Sequence, residues 1–284
     1  MQKWKNTNRS LTVVSAFFDI GKFPKGGLSN LRGKSTYHQW GKVFRYLNNP
    51  LVVYTDSAAF TKWMRKVRNN KKESTHILLI SRKDNCLWPF EIMPRIRKLY
   101  SKTGYPKHYP NTYLPEYTSL THSKQPILAD SAERNFFRTD YFCWLDIGYF
   151  RDIVRRRKEF WLEVPSDFDE TKIGVTRVYN VDLDNTSSRS IILQNKNWVG
   201  GGLFLGIPET ISKFHEQYKS AVFQYLDKDL MNVEQQILYA MYAENEGQNH
   251  PKDVDLQLYI PGQRRVMNTN PWFYLGYLMY SEKT

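Results

Sequence analysis

Phe136-Phe137-Arg138-Thr139-Asp140-Tyr141-Phe142-Cys143-Trp144-Leu145-Asp146-Ile147-Gly148 is the stretch that decides the fold of this chain. Residues 141–145 are an unbroken apolar run, the pattern of a buried strand. The run ends in one carboxylate and, two residues later, a glycine. In open α/β sheets, ligands bind in the crevice just beyond the carboxyl ends of the strands. An aspartate launched there from an apolar strand can hold a divalent cation or a ribose hydroxyl. The plainer reading is a strand-ending turn, because Asp and Gly are ordinary turn residues.

Upstream of this stretch, strands and helices alternate. Residues 11–18 read as a buried first strand, broken by Asp19-Ile20-Gly21. A loop containing Gly26, Gly27, Ser29, Gly33 and Lys34 follows. Trp40, Val43, Phe44 and Leu47 then mark a helix by their three- and four-residue spacing. Residues 51–54 form the second strand. Ser57 is placed to cap a helix whose inner face carries Phe60, Trp63, Met64 and Val67. Residues 76–80 form the third strand. A βαβαβ opening is the signature of a mostly parallel sheet covered by helices, so the fold class is α/β.

Further along, Pro89, Pro94, Pro106, Pro110 and Pro115 limit regular structure, with a short helix over residues 90–100 and another within 120–136. Beyond the quoted stretch the pattern predicts a basic helix to about Trp161 and a strand over 173–178. A strand interrupted by glycines spans 197–206, and helices cover 209–226 and 233–244. The first of these two helices carries Ile211, Phe214, Tyr218, Val222 and Tyr225 on one stripe. Residues 272–278 read as a last strand or a docked tail. No repeat or low-complexity linker divides the chain, so one domain over residues 1–284 is expected.

The composition is that of a folded protein: 41% hydrophobic and 15% aromatic over 284 residues, ample for a large core. Two cysteines, Cys86 and Cys143, supply neither a disulfide framework nor a zinc site, which points to a reducing compartment and a cytoplasmic location. No stretch approaches the ~20 apolar residues needed to span a bilayer. The expectation is a soluble or peripheral protein.

The charge is lopsided, at +13, and such a field attracts polyanions. Arg151, Arg155, Arg156, Arg157 and Lys158 lie beside Phe160 and Trp161, a combination that fits peripheral contact with an anionic membrane. The plainer reading is a solvated helix face. Nucleic acid is not an expected partner, since no recognised binding motif is present.

Three more pieces could carry chemistry. Gly200, Gly201 and Gly202 let backbone approach a ligand closely, although a β-bulge would use the same residues. Glu234 stands at a helix start, where the helix dipole favours a carboxylate. Lys124 lies about 20 residues before Asp146, within reach of the same crevice in an α/β unit. Asp182-Leu183-Asp184, Asp167-Phe168-Asp169 and Asp253-Val254-Asp255 are Asp-X-Asp pairs able to bind Mg²⁺ or Mn²⁺ beside a diphosphate, and the first is the best rival to Asp146. The six histidines (His38, His76, His108, His122, His215 and His250) lack the spacings of zinc or non-haem iron sites. Phosphate-loop and Gly-X-Ser-X-Gly motifs are missing, which removes the P-loop and α/β-hydrolase classes.

Residues 13–21 (Val-Val-Ser-Ala-Phe-Phe-Asp-Ile-Gly), together with Asn135-Phe136-Phe137 leading to Asp146-Ile147-Gly148, resemble the HtrL/YibB family. Ser123-Lys124, the block from Trp198 to Gly206 and Glu234-Gln235 resemble its later blocks in the same order. That family is similar to nucleotide-sugar glycosyltransferases of the GT-A fold, and its bacterial members are associated with lipopolysaccharide genes. The resemblance implies a single GT-A-like domain that moves a sugar from a nucleotide-sugar donor, UDP-linked for example, to a glycan or glycolipid acceptor. Surface-polysaccharide synthesis is the implied setting. By the same resemblance Phe18, Asp19 and Gly21 hold the nucleotide. Asp146 meets the diphosphate directly or through a Mn or Mg cation. Lys124 adds positive charge there, Gly200, Gly201 and Gly202 floor the sugar, and Glu234 is the general base. GT-A enzymes usually carry Asp-X-Asp after the central strand. Here Gly148 takes the third position, which leaves metal dependence open. Two other classes compete: an inactive nucleotide-binding protein of the same fold, and a basic scaffold on a membrane or nucleic-acid surface.

Overall fold

The computed structural model of the chain describes residues 9–26, 29–82, 87–243 and 253–282. Gly27, Cys86, Glu244 and His250, named above, lie outside them. The first apolar run forms β1 (Leu11–Phe17), and a small hairpin of β2 (Phe23–Pro24) and β3 (Leu31–Arg32) occupies the glycine-rich loop. α1 (Lys34–Gly41) begins well before Trp40 and tightens into a 3₁₀ turn over Lys42–Arg45, so the predicted helix is two pieces. β4 (Leu51–Thr55), α2 (Ala58–Val67) and β5 (Thr75–Leu79) follow as predicted. Ser57 caps α2, its hydroxyl accepting the Phe60 N–H at 3.2 Å.

The proline-rich stretch holds α3 (Trp88–Glu91) and α4 (Met93–Tyr100), each with proline in its first turn, where the missing N–H costs nothing. α5 (Pro115–His122) and α6 (Lys124–Arg134) meet at Ser123, and β6 (Tyr141–Leu145) is the strand of the quoted stretch. Next come β7 (Trp161–Leu162), β8 (Ile173–Thr176), α7 (Ser188–Leu193), β9 (Leu203–Gly206), α8 (Pro208–Asp227) and α9 (Glu234–Tyr242). β10 (Leu256–Tyr259), α10 (Tyr274–Met279) and β11 (Tyr280–Ser281) complete the chain.

Seven strands make one sheet in the order β10-β8-β9-β6-β1-β4-β5. All run parallel except β9, which is antiparallel to both β6 and β8. The protein is thus a single mixed α/β domain with a mostly parallel sheet flanked by helices. Each face of the sheet carries its own apolar core. Val14, Phe142 and Phe204 point to the α6–α8 side, while Val13, Cys143 and Leu205 point to the α2–α10 side. The α8 stripe of Ile211, Phe214, Tyr218, Val222 and Tyr225 is buried as its spacing requires. Among the described residues no helix is long and apolar enough to cross a membrane.

Three expectations need correction. The basic segment is not a long helix: it is a 3₁₀ turn over Arg151–Arg156 that ends at Arg157 with φ of 55°. Phe160 belongs to the core, and Arg156 and Lys158 both pair with Glu282. Second, the glycine run lies before β9 rather than within a strand, since regular pairing begins at Leu203. Third, residues 274–279 are helical. α10 docks because the buried Tyr149 hydroxyl accepts the Gly276 N–H at 2.9 Å and Thr176 accepts the Leu275 N–H at 3.0 Å.

Candidate functional site

Topology builds the site. β1 is followed on one side by β4 and β5, and the chain later returns to place β6 on its other side. The carboxyl ends of β1 and β6 therefore flank a topological switch point, where open α/β sheets bind ligands. Asp146 stands one residue past β6. Because β9 runs antiparallel to β6, with Leu203 opposite Leu145, the chain entering β9 crosses the same edge. That brings Gly201 and Gly202 beside Asp146, whose N–H donates to the Gly202 carbonyl at 2.9 Å. α6 starts at this edge with Lys124, and α9 starts there with Glu234.

The inner end of the site is an ion triad. The Lys124 ammonium donates to Glu234 Oε1 at 2.7 Å and to the Gly201 carbonyl at 2.7 Å, and it lies 3.2 Å from Asp146 Oδ1. Burial pushes this ammonium toward its neutral form, but Asp146 and then Glu234 outweigh burial and hold its pKa above the ordinary lysine value. The Trp144 indole N–H donates to Asp146 Oδ1 at 2.8 Å. Side-chain exposure separates the two carboxylates: 40% for Asp146 and 3% for Glu234. A Cβ at Gly201 would stand 2.1 Å from Glu234 Oε1, so only glycine leaves room for the triad.

In front of the triad opens a cavity of about 360 Å³, within the ~300–1,000 Å³ range of small-molecule sites. Phe18, Phe23, Tyr37, Tyr117, Trp144 and Phe273 form much of its wall. Lys25, Arg32, Lys124 and Arg151 also line it, and Asp146 is the sole carboxylate among the described lining residues. Trp40 anchors the mouth. The Arg32 guanidinium lies 4.7 Å from its ring centre, and the Arg151 guanidinium lies 5.4 Å from it and 4.6 Å from the Phe273 ring. Lys25 donates to the Tyr117 hydroxyl at 2.7 Å. Burial raises the Tyr37 phenol to about 12, so it stays a neutral donor.

The residues singled out by sequence are distributed unevenly. Phe18, Lys124, Asp146 and Gly202 line the cavity, and Gly201 lends its carbonyl to Lys124. Asp19 and Gly21 face a separate shallow hollow with Lys22, Lys34, Ser35 and His38. The Asp19 carboxylate accepts the Gly21 N–H at 3.1 Å, a local turn. Gly200 packs against Val178 and Trp272, outside the cavity lining. Glu234 is enclosed behind Lys124 and lies outside the cavity lining. The rival Asp182 is taken up in its own turn, accepting from Asp184 and Asn185.

The single-aspartate metal expectation does not fit this donor set. Asp146 already holds the Lys124 ammonium and an indole N–H, and Glu234 spends Oε1 on the same lysine. A Cβ at Gly148 would stand 2.6 Å from Trp40 Cε3, so the ring fills the space a second aspartate would need. Among the described residues no three His, Cys, Asp or Glu side chains gather as metal ligands.

No sequence pattern singles out Lys25, Arg32, Trp40 or Tyr117 as site residues. Arg32 and Trp40 enter from β3 and α1, short elements hidden in a loop-like stretch. Arg151 carried a signal, three residues past Gly148, but was read as surface charge.

Fold and site together define an α/β protein with a cationic, aromatic-walled cleft at the switch point of its sheet. Within that class the chain belongs to the HtrL_YibB family, described as bacterial proteins of unknown function, whose model matches residues 9–248. Among curated proteins nothing matches the chain.

Proposed function

We propose that this protein is a glycosyltransferase of the GT-A type, moving a sugar from a nucleotide diphosphate sugar to a hydroxyl of a glycan or glycolipid. One observation carries the reading: the switch-point cavity combines stacking rings, four cations and a single exposed carboxylate. A nucleotide sugar presents the matching chemistry, namely a flat base, a diphosphate and hydroxyl groups. The rings near Phe18 and Tyr117 take the base. The cations stabilise the departing diphosphate as its charge develops. Asp146, facing the cavity, accepts a hydrogen bond from a hydroxyl of the donor sugar or of the acceptor. Glu234 acts through Lys124, holding its charge and position, and is a positioning residue rather than the base.

The test is a panel of nucleotide sugars scored twice, for thermal stabilisation of the chain and for release of free nucleotide with and without candidate acceptors. A shift with one donor and turnover supports the proposal. Stabilisation without turnover under any acceptor favours a nucleotide-binding protein that performs no transfer. A panel with neither effect rejects both.

A further inference from the structure

We propose that the site meets the phosphates of its ligand with its own guanidinium groups, Arg32 and Arg151, while Lys124 occupies Asp146 in the place a divalent metal would take. The inference rests on reading the ligand as a diphosphate ester, and it names how that diphosphate is held. Three observations converge on it. The Lys124 ammonium is fixed by Glu234 Oε1 and the Gly201 carbonyl, each at 2.7 Å, and contacts Asp146 at 3.2 Å. All three of its N–H donors are thereby directed. A dication would have to share Asp146 with this ammonium, because Glu234, the other carboxylate of the triad, is turned to the lysine and lies outside the cavity lining.

The second observation is Trp40. Its ring lies against Gly148, where a Cβ would come within 2.6 Å, and it excludes the additional acid that a metal pair needs. The same ring carries the cations, with Arg32 at 4.7 Å and Arg151 at 5.4 Å from its centre. One tryptophan therefore both closes the metal position and presents two guanidinium groups to the cavity.

The third observation is that these guanidinium groups are held ready. Among the described residues neither Arg32 nor Arg151 has a carboxylate partner, and Arg32 Nε is buried without a hydrogen-bond acceptor. Among the described residues the one hydrogen bond of the Arg151 guanidinium is a long one to the Gly148 carbonyl, at 3.4 Å. Guanidinium forks match phosphate oxygens in pairs, and stacking on an aromatic face fixes them at small entropic cost.

Calorimetric titration of the full chain with inorganic pyrophosphate, in chelator and again with excess Mn²⁺, tests this without assuming any nucleotide. Binding in chelator with an affinity that Mn²⁺ leaves unchanged supports the proposal. Arg32→Gln and Arg151→Gln should each weaken it by about 10–100-fold, the size of a lost charge-assisted hydrogen bond. Arg32→Lys and Arg151→Lys should recover part of that loss, and melting temperatures check that every variant is folded. Binding that requires Mn²⁺, binding indifferent to both arginines, or no binding in either buffer overturns it. Titration with uridine, guanosine, adenosine and cytidine diphosphates runs in parallel. If none binds more tightly than pyrophosphate, the nucleotide-sugar reading fails while the guanidinium clamp stands.

Discussion

The two ends of the cavity follow opposite electrostatic plans. At the inner end, Lys124 is enclosed and shared between Glu234 and Asp146, so its charge is more than balanced by the protein itself. At the mouth, Arg32 and Arg151 rest on aromatic faces with no carboxylate partner among the described residues. A buried ion set is costly to disturb and is therefore suited to holding geometry. Cations resting on rings without a carboxylate partner keep their charge available for an anionic ligand. On the proposed reading the inner end is structural preparation, and the mouth does the recognising.

This contrast predicts a hierarchy of effects. Lys124→Met leaves the buried Glu234 charge uncompensated, and breaking such a pair typically costs about 3–5 kcal/mol. Urea denaturation of the variant should show a loss of that size. A loss well under 1 kcal/mol would mean the triad does not organise the inner end.

Acid should act on the core next to the triad. His122, fully buried behind Lys124, accepts at Nδ1 from the Tyr218 hydroxyl at 2.6 Å and donates from Nε2 to the Asn232 carbonyl at 3.0 Å. Burial pushes it down to about 3, from an ordinary histidine value near 6.5. Between those values the unfolded chain binds the extra proton, so stability is full above pH ~6.5 and declines as pH falls toward about 3. The slope is up to ~1.4 kcal/mol per pH unit from this residue. Denaturation midpoints compared between wild type and His122→Gln should show a flatter acid limb in the variant, and identical limbs would remove His122 from the account.

Smaller effects belong to the boundary and the mouth. Gly148→Ala forces the Trp40 ring to move, and such overpacking costs typically 1–3 kcal/mol. It should also weaken pyrophosphate binding, because Arg32 and Arg151 ride on that ring. Arg151→Gln should change stability by no more than about 0.5 kcal/mol, as surface substitutions do, while still weakening the anion. A large loss of stability in Arg151→Gln would erase the difference between the two ends.

Much of this architecture could be read in the residues, and the reason lies in periodicity. β6 is a continuous apolar run, β1 and β4 are apolar apart from Thr12, Ser15 and Thr55, and the α8 stripe repeats at helical spacing, so local pattern and tertiary burial agree. Asp146 and Lys124 were accessible because topology places strand ends and following helix starts at one edge. The mouth was not accessible in the same way. Arg32 sits in a two-residue strand and Trp40 in a helix of low amphipathic contrast, and neither local pattern announces a ligand wall. Glu234 misled for a different reason: its helix-start position predicts a charge favoured by the dipole, but only the packing of α9 against Gly201 reveals its enclosure.

The central claim is that the cleft beyond β1 and β6 binds and turns over a nucleotide sugar, with Asp146 at its floor. It is tested most directly by measuring nucleotide release from the donor panel, in the presence of acceptors, for wild type and for a folded Asp146→Asn protein. The account predicts one preferred donor for the wild type and a fall of about 10²-fold or more in the variant, the size of losing one placed polar contact to the reacting groups. Equal release by the two proteins, or no release from any donor by the wild type, would contradict it.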